Sequence, residues 1–183
     1  MSGKERVFHT EKMFTPTGSG KKLKIPMIIK LTTDEQKLVE HAKKAIVRYN
    51  KMRRNKESID TLYAFLLSDS GKIYDGACFE SNISQATICG ERHAIANMVL
   101  KEAYKARIKC MVVADPVPMV QKNSTPPCGT CRHLIWEFGT PETSVICMQY
   151  VQHENGWIFP AMEKYHIKDL YPHPYEPIEG LWD

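Results

Sequence analysis

No apolar run in the 183 residues approaches the roughly 18 that a membrane span requires, and the opening stretch MSGKERVFHTEK lacks the apolar segment of a secretory signal. The expectation is a soluble protein of the cytoplasm. Six cysteines are too few for a small disulfide scaffold, and a reducing compartment would keep them as thiols, so some of them need another use. There is no internal repeat, no low-complexity block and no sign of a second core. At 43% hydrophobic, the chain is long enough for one substantial core and short for two.

Positive charge is concentrated at one end. Residues 1–56 hold 15 Lys and Arg against 5 Asp and Glu, and the remainder holds 10 against 16. Such a basic segment can attract polyanions. Binders of single-stranded nucleic acid, however, stack bases on exposed aromatics, and KKLKIP and KMRRNK contain none. Nucleic acid is therefore not an expected partner.

Residues 1–30 lack periodicity and read as an irregular basic arm, leaving 31–183 as the folded domain. LTTDEQKLVEHAKKAIVRYNKMR offers Thr32 or Thr33 as an N-cap, acids in the first turn, and Leu38, Ala42, Ala45, Ile46 and Tyr49 on one helical face. TLYAFLLSDSGKIYDGACFES reads as a β-hairpin around Ser70-Gly71. A helix beginning near Cys89, a strand at KCMVVADP, a proline-rich loop and a helix from Cys128 to Gly139 follow. TSVICMQYV and WIFPAM read as strands, and EKYHIKDLYP as a last short helix. Strands alternating with helices imply a sheet flanked by helices, an α/β layered architecture. Cys110 and Cys147, inside strand-like apolar runs, are assigned to the core.

Cys128-Gly129-Thr130-Cys131 is a C-x-x-C at a helix start, which suits either a redox pair or half of a metal site. Cys89 stands at a second helix start, far enough along the chain for the intervening helix, strand and loop to bring the two starts together. Three thiolates would leave one position on zinc open, the mark of a catalytic rather than a structural site. A proton shuttle is then needed that is not itself a ligand, and Glu91 is placed for it. The alternative is a closed structural site with His93 or another residue as fourth ligand.

TICGERHAI followed by PPCGTCRHLIWEF resembles the paired zinc motifs of the cytidine deaminase family in its three-cysteine version. The similarity runs from about Leu62 to Leu181 and takes in the hairpin, the VVAD strand and the tail DLYPHPYEPIEGL. The resemblance implies a cytidine-deaminase-like α/β/α fold with a mixed central sheet. It implies zinc on Cys89, Cys128 and Cys131, with Glu91 carrying protons from the attacking water to a ring nitrogen and then to the leaving amine. Arg92 and Arg132 would moderate the negative charge of the thiolates. Cys78, Glu80, Gly90, Asp60, Pro126 and Tyr175 fall on substrate-facing positions, Tyr175 reaching a neighbouring subunit's site in a homotetramer.

Two of these positions depart from the family. Cys78 stands where the nucleoside deaminases carry a ribose-binding asparagine, while Glu80 is retained. Asp60 falls, without a gap, where an aromatic packs on the pyrimidine, unless Tyr63 or Phe65 fills that slot instead. Blasticidin S deaminases, relatives that also alter this segment, indicate that the chemistry tolerates other amino-heterocycles. The expected substrate is cytidine, deoxycytidine or a cytosine nucleoside analogue, with free cytidine not the best of them. The rival readings are a polynucleotide deaminase and a zinc-binding module without turnover.

Overall fold

The computed structural model describes residues 29–52, 61–79, 81–83, 86–116, 125–154 and 156–174. The arm up to residue 28, the proline-rich loop at 117–124 and the positions Asp60, Glu80 and Tyr175 lie outside the described residues. Among the described residues, no helix is long and apolar enough to cross a membrane.

Helix α1, Thr33–Met52, begins in a reciprocal cap. The Glu35 backbone N–H donates to Thr32 Oγ1 at 3.3 Å, and the Thr32 N–H donates to Glu35 Oε2 at 2.8 Å. That exchange satisfies two backbone donors the helix cannot pair internally. The hairpin forms as expected, β1 (Tyr63–Ser68) antiparallel to β2 (Ile73–Ala77), with Gly71 at φ +83° in the turn.

After α2 (Gly90–Glu102) comes β3 (Ile108–Pro116), antiparallel to β1; after α3 (Gly129–Phe138) comes β4 (Ser144–His153), parallel to β3. Strands β5 (Gly156–Ile158) and β6 (Met162–His166) both pair antiparallel with β4, completing a six-stranded mixed sheet.

Period-two alternation sorts the strands into two cores. Tyr63, Phe65, Leu67, Cys110, Val112, Ala114, Ile146, Met148 and Tyr150 meet Leu38, Val39, Ala42, Ala45 and Ile46 of α1. Ala64, Leu66, Met111, Val113, Val145 and Cys147 face the other way, onto Ala94, Ile95 and Met98 of α2 and Ile135 and Phe138 of α3. The result is a helix layer on each face of the sheet. Cys110 and Cys147 are core thiols on opposite faces.

The last segment differs from the sequence reading. Glu163 to His166 are strand, not helix, and only Ile167–Leu170 form a helical turn, α4. Pro160 interrupts WIFPAM, and the chain then takes the edge that β4 offers, from Met148↔Met162 to Ser144↔His166. A ladder along a buried strand outweighs the weak propensity of a short polar helix.

Lys164 on β6 reaches back to Glu35, with Nζ 2.8 Å from the carboxylate, and so bolts the start of α1 to the sheet. Burial alone would push the Glu35 carboxyl up, but hydrogen bonds from Lys164, Ser144 and Thr32 together hold it below its ordinary value. A depressed carboxyl contributes stability above its unfolded value and loses it as pH falls through the folded one. Glu35→Gln should therefore cost about 2 kcal/mol at pH 7. The gap to the parent should close below about pH 4. Urea midpoints at the two pH values measure this, and an equal gap at both would refute it.

Candidate active site

Two helix starts form the site. Cys89 is the N-cap of α2 (φ −63°, ψ 149°) and Cys128 the N-cap of α3 (φ −66°, ψ 167°). Neither side chain makes the capping bond to its own helix that Ser or Asp would make there. Their sulfurs instead face each other at 3.9 Å, and Cys131, in the first turn of α3, joins them, all three Sγ atoms lying within 4.8 Å of one another. Cys131 is fully buried and Cys128 exposed.

The donor set fits zinc. Two thiolates on a tetrahedral ion, each at about 2.3 Å, lie about 3.8 Å apart. Without a cation Cys131 and Cys89 resist ionisation. Burial, then the neighbouring Glu91 and Cys89, push the Cys131 thiol far up, and burial followed by Cys128 and Glu91 raises Cys89. A divalent ion at the centre would reverse that balance and hold the sulfurs as thiolates.

Glu91 sits in the first turn of α2 and is only 5% exposed. Burial raises its carboxyl; its own N–H, a hydrogen bond from the Cys131 thiol, and the charge of Arg92 oppose that rise. The carboxylate thus lies beside the sulfurs while standing apart from the three-sulfur cluster.

A close approach of backbones sets the position of α2. A Cβ at Gly76 would lie 2.2 Å from the Gly90 carbonyl oxygen and 2.5 Å from Ala94 N, and one at Gly90 would lie 3.1 Å from Ala64 N. Only glycine at Gly76 lets the Cys89–Glu91 turn rest directly on the hairpin. Gly76 and Tyr63 also line a cleft of about 410 Å³ together with Tyr49, Asp75, His93 and Asn97. None of the three cysteines of the cluster lines it. The Asp75 carboxylate is held by His41 at 2.7 Å and by the Tyr49 hydroxyl at 2.5 Å.

Of the remaining expected residues, Cys78 is half-buried just past β2, its N–H bonded to Leu62 O. Phe65 is fully buried under α1 and cannot offer a ring face to a ligand, which removes it from the base-packing slot. Tyr63, 3% exposed, is packed among Tyr49, Phe65 and Tyr150 where it borders the cleft. Pro126 is half-buried in the segment leading to Cys128.

The two arginines act on backbone. Arg92 Nη2 donates to Thr87 O at 2.7 Å, and Arg132 Nε donates to Pro127 O at 2.7 Å, with Nη1 reaching Leu170 O. Each braces the carbonyl five residues upstream, Thr87 before Cys89 and Pro127 before Cys128. Sequence reasoning missed the Asp115–Thr125 pair at the end of β3. Thr125 Oγ1 donates to Asp115 Oδ2 at 3.0 Å and Thr125 N to Oδ1 at 3.3 Å. Its signal was a carboxylate ending an apolar strand.

Three thiols on two helix starts, with a buried carboxylate beside them, define an α/β/α protein with a candidate metal-binding cluster. Residues 32–148 match the cytidine and deoxycytidylate deaminase zinc-binding region. The chain belongs to that family. It is 36% identical over 89 residues to a cytidine deaminase of Mycoplasma pneumoniae, covering 47% of this chain and 62% of that protein. It is 38% identical over 86 residues to a probable cytidine deaminase of Dictyostelium discoideum, covering 47% and 54%. The chain thus spans somewhat over half the length of these relatives. Among solved structures, the cytidine deaminase from Burkholderia pseudomallei superposes with a TM-score of 0.59 at 21% identity, over 79% of this chain and 100% of that one. That likeness supports the fold.

Proposed function

We propose that the protein is a zinc-dependent hydrolase that replaces the exocyclic amine of a cytosine nucleoside, or a close analogue, by oxygen and releases ammonia. The observation that carries the reading is the placement of Glu91, buried and hydrogen-bonded beside three convergent thiols. Zinc on Cys89, Cys128 and Cys131 would act as a Lewis acid and bring a water to ionisation near neutral pH. Glu91 accepts the water's proton as the oxygen bonds to the ring carbon, and passes it to the adjacent ring nitrogen. It then moves the second proton to the amine, the carbon–nitrogen bond breaks, and the products are the ring carbonyl and ammonia. Arg92 and Arg132 keep the approach segments of the ligating cysteines in place.

Cys78, Glu80, Gly90, Asp60, Pro126 and Tyr175 are the proposed substrate-facing residues. Cysteine is a poorer partner for a sugar hydroxyl than asparagine, and an unpaired buried polar group costs about 1–3 kcal/mol. That substitution disfavours plain cytidine. Ammonia release across cytidine, deoxycytidine, cytosine and the cationic nucleoside blasticidin S tests this. The expected order puts an analogue first, and a kcat/KM for cytidine above all the others would refute it.

The proposed setting is the cytoplasm, with 31–183 as the catalytic unit and 1–30 as an arm. The proposed assembly is a homotetramer. Phe79, Ile83 and Ile88 are 59%, 65% and 42% exposed in the stretch entering Cys89, an apolar lip suited to a second subunit. A monomeric sedimentation mass at micromolar concentration would exclude it.

A further inference from the structure

We infer that Asp115 is a positioning residue for the metal site, fixing through Thr125 the place where the chain delivers Cys128 opposite Cys89. This rests on the zinc reading above. The two halves of the site are held by different means. The Cys89 half is wedged against the hairpin, with no room for a Cβ at Gly76 and only a tight fit for one at Gly90. The Cys128 half starts at the surface, where Cys128, Gly129 and Thr130 are all exposed. Packing there cannot set the sulfur's position, so the segment before it has to.

That segment is tied to the sheet at Thr125. Asp115 belongs to β3, in register with Gln149 of β4, and is 2% exposed. Both of its carboxylate oxygens accept from the one residue, Oδ1 from the Thr125 N–H and Oδ2 from the Thr125 hydroxyl. Two bonds to one residue fix its orientation as well as its distance. Between Thr125 and Cys128 stand only Pro126 and Pro127, whose rings lock φ near −65°. A displacement at Thr125 is therefore passed on to Cys128 rather than absorbed. A carboxylate buried at the end of an apolar strand is costly unless hydrogen-bonded. Holding Thr125 is the role its contacts supply, and ligand distances tolerate errors of only about 0.2 Å.

Zinc release from the loaded full-length protein to a colorimetric chelator tests the inference. Asp115→Asn retains the shape but its amide nitrogen cannot accept; Thr125→Val removes the hydroxyl; Thr125→Ser keeps it. The first two should release zinc about ten-fold faster than the parent, the lower end of what outer-shell changes cost. Thr125→Ser should match the parent. Glu35→Gln, destabilised at the start of α1, controls for loss of stability and should release zinc at the parent's rate.

Rates for Asp115→Asn and Thr125→Val indistinguishable from the parent overturn the proposal, as does an equal acceleration in Glu35→Gln. Should Asp115→Asn fail to fold, the Val and Ser pair at Thr125 decides alone. A parent that holds no zinc overturns the zinc reading and this inference together. A zinc-retaining parent with unaltered variants overturns this inference only.

Discussion

Glu91→Gln is expected to keep its zinc and its fold while ammonia release falls by about 10² to 10⁴-fold, the usual worth of a positioned acid–base group. Glutamine has nearly the same volume, so the first turn of α2 and its seat on Gly76 should be undisturbed. What it loses is the ability to accept a proton and give it back. Burial already pushes the Glu91 carboxyl up, which moves its proton affinity toward the working range of such a shuttle. Metal analysis and circular dichroism would establish that the variant is intact, and the ammonia assay gives the effect. Turnover within a few-fold of the parent would mean another group moves the proton.

Cys131→Ser should abolish both zinc retention and turnover. Cys131 is the fully buried member of the three and interacts with Glu91 as well as with the other two sulfurs. Serine's oxygen is harder, reaches less far and ionises far less readily than a thiol, so two thiolates would be left to hold the ion. Cys147→Ser is the matched comparison, since Cys147 is equally buried but belongs to the core beneath α2 and α3. It should lose stability and keep its zinc. Full zinc occupancy in Cys131→Ser after dialysis without chelator would remove Cys131 from the ligand set.

The parts of the fold legible in the sequence are those set by local chemistry. Thr32 and Glu35 announce a helix start through a three-residue spacing, and TLYAFLL and KCMVVAD are near-continuous apolar runs of strand length, which mark strands buried on both faces. The three sulfurs were legible because C-x-E and C-x-x-C each stand at a helix start.

What was not legible depended on distant partners. EKYH becomes strand because β4 has a free edge, which nothing in those four residues declares. Asp115 and Thr125 are ten residues apart across a loop, and no periodicity links them. The bare backbone at Gly76 is explained only by the carbonyl of Gly90 pressing on it. That Arg92 and Arg132 also donate hydrogen bonds to backbone carbonyls is invisible without geometry.

The divided ligand set has a consequence for the unfolded chain. An ion gripped by Cys89 on one side and by Cys128 and Cys131 on the other closes a covalent-like ring across a separation of 39 residues. On the chain-entropy argument, such a ring restricts the denatured ensemble by about 4 kcal/mol, as a disulfide of equal span would. The staple needs no oxidant, and it comes undone when a chelator removes the metal. On the proposed function, the three sulfurs that serve the chemistry would therefore also govern how long the protein survives heat, and scarcity of one trace element would shorten its lifetime as well as silence it.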